Sequence, residues 1–162
     1  MKTLGSFVDA ARAYIEWAER ANPASPAEDA REVLGLLVKL YAAAINLPEG
    51  EGADGERTGT SQEEWSRIYS RCGNLPFDTY WEVFDPLTSE AEEPVGASLG
   101  DDLADIHRDL KLGMSYYAEG NESAAAWEWQ FNFRAHWGHH ASAALYALHA
   151  WWAAEYFAEP AV

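Results

Sequence analysis

The sequence predicts an all-α, single-domain bundle of about six helices that ends in a long, doubly buried C-terminal helix. Three observations lead to this prediction. The chain has 162 residues, which is enough for one ordinary domain and too few for two. Its 29 alanines outnumber the ten valines and isoleucines, and alanine favours helices whereas β-branched residues favour sheets. Apolar residues make up 48% of the chain, which excludes intrinsic disorder. Together with the chain length, this predicts that residues 1–162 form one domain.

Three helices are predicted in the first half of the chain. An apolar stripe with helical spacing covers residues 6–21, and an Asn-Pro pair stops it. Ser25 and Glu28 flank a proline at the first helical position, so this capping box begins the second helix. Ser61 and Glu64 form the second such box and begin a third helix.

Three segments of the chain are less regular. Residues 48–60 hold four glycines and no apolar periodicity, which predicts an exposed, mobile loop. The sequence FDTYWEVF at 77–84 is expected to form one or two turns of helix, although its alternation also fits a short strand. Residues 86–97 are predicted to form an acidic loop.

Two long helices complete the prediction. Residues 98–118 carry apolar side chains within one arc of a helical wheel, and a tight turn follows at Gly120. The last helix begins near residue 121 or 123 and runs as far as Phe157, unless Gly138 breaks it. Its wheel shows two opposite apolar stripes, which predicts burial on both sides and a place at the centre of the bundle. One stripe is Trp127, Phe131, Arg134, Leu145, Leu148 and Trp152, and the other is Trp129, Phe133, His136, His140, Ala147 and Trp151.

The charge of the chain limits its function. With 27 acidic and 11 basic side chains the net charge is -16, so direct nucleic-acid binding and attraction to anionic membranes are not expected. The acidic surface could attract a basic protein partner. The lone Cys72 excludes a disulfide framework and a cysteine-based zinc cluster. A reduced thiol and an N-terminal stretch without a signal peptide predict a cytoplasmic location.

His136 and His140 are the residues most suggestive of chemistry. Four residues apart on a helix, they share one face and could bind one metal ion. An antiparallel helix pair around Gly120 would place Asp105 level with His136 and Asp101 level with His140. Two histidines and an aspartate would suit iron, manganese or zinc. The alternative, which we favour on the sequence alone, is a pair of core histidines hydrogen-bonded without a metal or cofactor.

Arg134 offers a competing use for the same aspartates. It interrupts an apolar stripe, where an unpaired charge would be costly, so it needs an acidic partner. Asp102, Asp105 and Asp109 are within reach in the same helix pairing, and a bidentate ion pair is the expected outcome. Helix 98–118 can meet either the Arg134 face or the histidine face, and we expect the Arg134 face.

Two functions of different classes follow from the sequence. The first is a non-enzymatic protein-interaction or scaffolding module with an acidic surface. The alternative is a metal-dependent enzyme with a His/Asp site between helix 98–118 and the C-terminal helix. The sequence does not indicate an oligomeric state.

Three stretches of the sequence are similar to a known family. They are the run Asp85-Pro86-Leu87, the sequence DDLADIHRDLKLGM at 101–114 and the sequence AAWEWQFNFRAHWGHHASAALYALH at 125–149. They resemble the bacterial family catalogued as domain of unknown function 5063, and the resemblance extends over nearly the whole chain. It implies an all-helical single domain from the bacterial cytoplasm, and it brings no assigned activity.

Overall fold

The computed structural model describes residues 4–54, 57 and 59–158, and this part of the chain is predominantly helical. The elements are α1 (Leu4–Glu19), α2 (Pro26–Ala44), α3 (Gln62–Cys72), β1 (Thr79–Glu82), β2 (Val95–Ser98), α4 (Leu99–Ala118), α5 (Glu122–Asn132) and α6 (Gly138–Phe157). Helices α5 and α6 are joined without a break by a π-helical turn at Phe133–Trp137, so the described residues contain five continuous helices, whereas the sequence predicts about six. The two strands form an antiparallel sheet that precedes α4.

The predicted starts of α2, α3, α4 and α5 are confirmed, and side chains explain them. The Ser61 hydroxyl accepts a hydrogen bond from the backbone N–H of Glu64 at 3.1 Å, and Pro26 is the first residue of α2. The Asn121 side chain caps α5 by accepting from the N–H of Ala124 at 3.1 Å. Gly120, with a φ of 81°, makes the left-handed turn that reverses the chain between α4 and α5.

The helix predicted at 77–84 is wrong, since residues 79–82 form strand β1. Tyr80 lies opposite Ala97 of β2, and Trp81 lies opposite Gly96. The alternation of the sequence decides the outcome, because Tyr80 is buried while Trp81 on the other side of the strand is exposed. The end of the predicted acidic loop at 86–97 is likewise part of β2, so the connection between the strands is residues 83–94.

The predicted loop at 48–60 lies partly outside the described residues, at 55, 56 and 58. Its first part packs closely on α5. A Cβ at Gly50 would lie 2.2 Å from the carbonyl oxygen of Ser123, so only glycine allows this approach. The N–H of Glu51 donates to the Ser123 hydroxyl at 3.0 Å.

Helix α4 lies at the centre of the fold and packs against α1, α3, α5 and α6. The C-terminal helix was expected to hold this place. Helix α6 is packed on two sides, by α4 and α2. The stripe that begins with Trp127, Phe131 and Arg134 is exposed at these three residues, which belong to α5 and the π turn. The large side chains of the core include Trp17, Trp129 and Trp137, all at most 1% exposed. None of the helices in the described ranges is long and apolar enough to cross a membrane.

The predicted ion pairs of Arg134 with Asp102, Asp105 and Asp109 are wrong. Arg134 is exposed, so water solvates its charge and no buried partner is needed. The π turn at 133–137 takes more residues per turn than an α-helix, and Gly138 donates back to the carbonyl of Phe133. A uniform helical wheel therefore misplaces side chains along this segment, and α4 meets the histidine face instead.

Candidate functional site

The site lies where α4 meets the π turn and the start of α6. His136 belongs to the π turn and His140 to the first turn of α6, while Asp102, Asp105 and Asp109 project from successive turns of α4. The structure brings His136, His140 and Asp105 together, with one ligand atom of each within 4.8 Å of the others. The helix pairing expected around Gly120 is thus realised at these three residues.

Each histidine is oriented by its own aspartate. Nδ1 of His136 lies 2.7 Å from Oδ2 of Asp109, and Nδ1 of His140 lies 2.7 Å from Oδ1 of Asp102. A carboxylate only accepts hydrogen bonds, so both Nδ1 atoms carry the proton and donate. This fixes the tautomer and leaves the Nε2 lone pair of each neutral ring free.

The two free nitrogens converge with one carboxylate oxygen. The Nε2 atoms of His136 and His140 are 3.3 Å apart, and Oδ2 of Asp105 lies 3.5 Å and 3.7 Å from them. Two unprotonated Nε2 atoms at this distance would direct lone pairs at each other. A proton on one Nε2, or a cation bound by both, would remove this repulsion.

A further layer of hydrogen bonds holds the aspartates. Oδ1 of Asp105 accepts from the indole N–H of Trp65 at 2.7 Å and pairs with Arg108 at 2.9 Å. Oδ2 of Asp102 accepts from the hydroxyl of Tyr80 at 2.5 Å. Asp105 thus has one oxygen fixed by the protein and turns the other towards the histidines. Sequence reasoning missed Trp65 and Tyr80, which read as apolar positions of their own segments.

The site concentrates negative charge in a poorly solvated place. Asp102, Asp105 and Asp109 are each at most 9% exposed. Desolvation raises the pKa of Asp109 even though its hydrogen bond to His136 opposes the shift. At His140 desolvation lowers the pKa, but the hydrogen bond and charge of Asp102, with Asp105 and Asp101, outweigh it, so the pKa is raised. The buried carboxylates therefore favour the protonated form of His140.

Asp101 is not one of the three converging residues. Its backbone N–H donates to the Ser98 hydroxyl in the first turn of α4, and its side chain is half-buried. Desolvation and the charges of Asp105 and Asp102 raise its pKa. Asp101 therefore does not pair with His140 as predicted, but its charge helps to raise the pKa of His140.

A second group of acidic and histidine side chains differs from this one. Glu19, Glu64 and His107 also converge, but Nζ of Lys111 lies 3.0 Å from Glu19 and 3.7 Å from Glu64. The lysine ammonium already supplies a positive charge there. Among the described residues, no lysine ammonium pairs with the group at His136 and His140, and Arg108 pairs with Oδ1 of Asp105 rather than with the Oδ2 that lies near the rings.

Comparisons with known proteins place the chain in a family. The crystal structure of protein BF1032 from Bacteroides fragilis is similar, with a TM-score of 0.77 and 22% sequence identity over 98% of this chain and 94% of that one. This similarity shows a shared fold. No curated protein matches the chain significantly. The sequence model of the family described as Domain of unknown function (DUF5063) matches residues 1–154, and the chain therefore belongs to that family.

Proposed function

We propose that the chain is a metal-dependent enzyme whose Asp105, His136 and His140 bind one divalent transition-metal ion, zinc before iron or manganese. The observation that supports this most is the orientation of the two histidines. Each Nδ1 is hydrogen-bonded to a separate aspartate, so both Nε2 atoms are left free, and together with Oδ2 of Asp105 they lie within 3.7 Å of one another. Histidine ligands of metals in proteins are typically held by this kind of carboxylate contact.

The spacing of the ligand atoms favours zinc. Bonds of about 2.0–2.1 Å in tetrahedral geometry separate neighbouring ligands by about 3.3 Å, whereas octahedral geometry separates them by about 2.9 Å. The three distances of 3.3, 3.5 and 3.7 Å are closer to the tetrahedral value. Catalytic zinc sites commonly have three protein ligands and a fourth position for water.

The side chain of His136 is 38% exposed, so solvent reaches the site and could supply a water as the fourth ligand. A zinc ion with one open position supplies Lewis acidity and activates water. The protein supplies the fixed ring orientations and the surrounding negative charge. We therefore assign the reaction to metal-assisted hydrolysis or hydration.

The direct test is the metal content and thermal stability of the tag-free protein. After purification without chelator, elemental analysis is expected to find one zinc per chain. Removing the ion and adding zinc back at about 100 times its dissociation constant should raise the melting temperature by about 5–10 °C. Substoichiometric metal together with an unchanged melting temperature would contradict the proposal.

Asp109→Asn tests the role of the carboxylate behind His136. The amide accepts a weaker hydrogen bond from Nδ1 and removes a charge next to the site, so zinc affinity should fall about 10- to 100-fold. Competition with a fluorescent zinc chelator measures the change. Asp9→Asn is the matched control, since Asp9 is exposed on α1, and it should leave the affinity unchanged. Equal affinities for the two variants would show that Asp109 does not support the ligand.

As the pH is lowered, zinc affinity should begin to fall at a higher pH than it would for a pair of histidines with ordinary pKa values. A metal binds the neutral ring, and the raised pKa of His140 means that a proton competes for Nε2 above the usual histidine value of about 6.5. The groups that hold this proton are Asp101, Asp102 and Asp105. Titrating zinc at several pH values measures the effect, and an affinity that stays constant from pH 8 to pH 6 would contradict it.

A second function, as a non-enzymatic module that recruits a basic protein partner, is supported by the connection between β1 and β2. Its acidic side chains, Asp85, Glu90, Glu92 and Glu93, are all exposed. Because exposed charges are screened by salt, such a partner should co-purify at low ionic strength and be released by salt. Failure to recover any partner at low salt would remove this second proposal.

A further inference from the structure

A cleft of ≈ 480 Å³ lies between the β hairpin and α6, next to the proposed metal site. The hairpin contributes Trp81, Val83 and two prolines, and α6 contributes Ala143 and Tyr146. Trp81 is 68% exposed and Tyr146 is 71% exposed, so both leave aromatic surface accessible to a ligand. A volume of this size is in the range of small-molecule sites, about 300–1,000 Å³.

Two polar side chains connect the cleft to the metal ligands. Glu82 and His139 both line it, with Oε2 of Glu82 3.5 Å from Nε2 of His139. His139 precedes the ligand His140, and the centres of their rings are 6.0 Å apart. Tyr80, two residues before Glu82 on the same side of β1, donates to the aspartate that holds His140. A ligand in the cleft would therefore lie beside the metal.

The charge of the surroundings selects the ligand. The side chain of Glu82 lines the cleft and is only 12% exposed. Residues 82–109 carry nine acidic side chains and one arginine. An anion would be repelled by this field, whereas a cation would be attracted to Glu82 and to the aromatic faces.

We propose that this cleft binds an organic cation with a flat, apolar body, and that such amines are the substrate class of the metal site. The apolar body packs against Trp81 and Tyr146, and the ammonium group pairs with Glu82. The substrate assignment rests on the proposed metal function. The binding itself depends only on the cleft, so the two can fail separately.

Three compounds with the same ring and different charge test the proposal. Tryptamine, indole and indole-3-acetate are titrated into ¹⁵N-labelled protein at pH 8, and amide shifts are followed by NMR. Tryptamine is expected to bind about fivefold tighter than indole, the upper range for one solvent-accessible ion pair, and indole-3-acetate weakest. The shifts should lie in residues 81–86 and 139–146. Equal affinities, a preference for the anion, or shifts elsewhere would overturn the proposal.

Substitutions separate the ring contacts from the charge. Trp81→Ala should weaken all three compounds, whereas Glu82→Gln should leave indole unchanged and remove the preference for tryptamine over indole. Tyr156→Ala is the control, because Tyr156 is an 84% exposed aromatic of α6 that does not line the cleft. A Trp81 variant that binds like the control would refute the site.

Zinc and tryptamine titrations of the wild-type protein and of a His136→Ala/His140→Ala variant distinguish the two proposals. If the wild-type protein binds tryptamine but not zinc, the cleft proposal stands and the metal site is refuted. If it binds zinc but does not bind tryptamine selectively, the metal site stands and the cleft proposal is refuted. If both hold, zinc-loaded protein should show tryptamine-induced shifts at His140 that the double variant lacks at residue 140.

Discussion

Zinc affinity should fall about 100-fold when one of the two histidines is replaced by alanine, and stoichiometric binding should disappear when both are replaced. Structural zinc sites with four ligands bind with about 10–16 kcal/mol, so each ligand accounts for about 3 kcal/mol. Nothing else in the described residues near the site can replace the lost nitrogen without moving. Affinity is measured by competition with a chelator on metal-free protein.

The control for this pair is His149→Ala. His149 is exposed on α6 beyond the site, so its removal should leave zinc affinity unchanged. Circular dichroism establishes that the double variant is folded, and Asp105→Asn offers a second route if it is not. A double variant that is folded and binds zinc as tightly as the His149 variant would refute the assignment of these ligands.

The largest effect on stability is expected from Gly113→Ala in α4. A Cβ at this position would lie 2.1 Å from Nε1 of Trp129, a side chain with no solvent exposure. That indole N–H donates to the carbonyl of Leu110 at 3.1 Å, and the ring lies 4.9 Å from that of Phe7. The tryptophan must therefore shift, which strains the core and weakens a buried hydrogen bond. We expect a loss of about 3 kcal/mol, or about 10 °C in melting temperature.

Replacing a glycine by alanine in α2 should instead increase the stability of the protein. Gly35 lies inside α2 and is exposed, and a Cβ there would meet nothing within 4 Å. Gly35→Ala should stabilise the protein by about 1 kcal/mol, because alanine is the better helix former. Thermal unfolding followed by circular dichroism compares the two variants. If Gly113→Ala is as stable as Gly35→Ala, then Gly113 and Trp129 do not pack as described.

Local signals made much of the fold predictable. The Ser61 hydroxyl accepts from the N–H of Glu64, and the Glu28 carboxylate accepts from the N–H of Ser25. Because each of these contacts spans three residues, the sequence pattern alone predicts both helix starts. The turn at Gly120 is equally local. Because it joins two antiparallel helices, it also predicts that His136 and Asp105 lie near each other.

The errors arose where contacts distant in sequence decide the structure. The π turn at 133–137 changes which side chains face α4, and the prediction of a buried Arg134 depended on a uniform helix. Tyr80 and Trp65 reach aspartates 22 and 40 residues away. Such pairings depend on how the strand and α3 pack on α4, which no periodicity within either segment reveals.

The location of the bound metal tests the central claim most directly. Crystals of the zinc-loaded protein, with diffraction data collected on both sides of the zinc absorption edge, would give an anomalous difference map. We predict one strong peak within about 2.2 Å of Nε2 of His136, Nε2 of His140 and Oδ2 of Asp105. A peak at Glu82 and His139, one at Glu19 and His107, or no peak at saturating zinc would contradict the account.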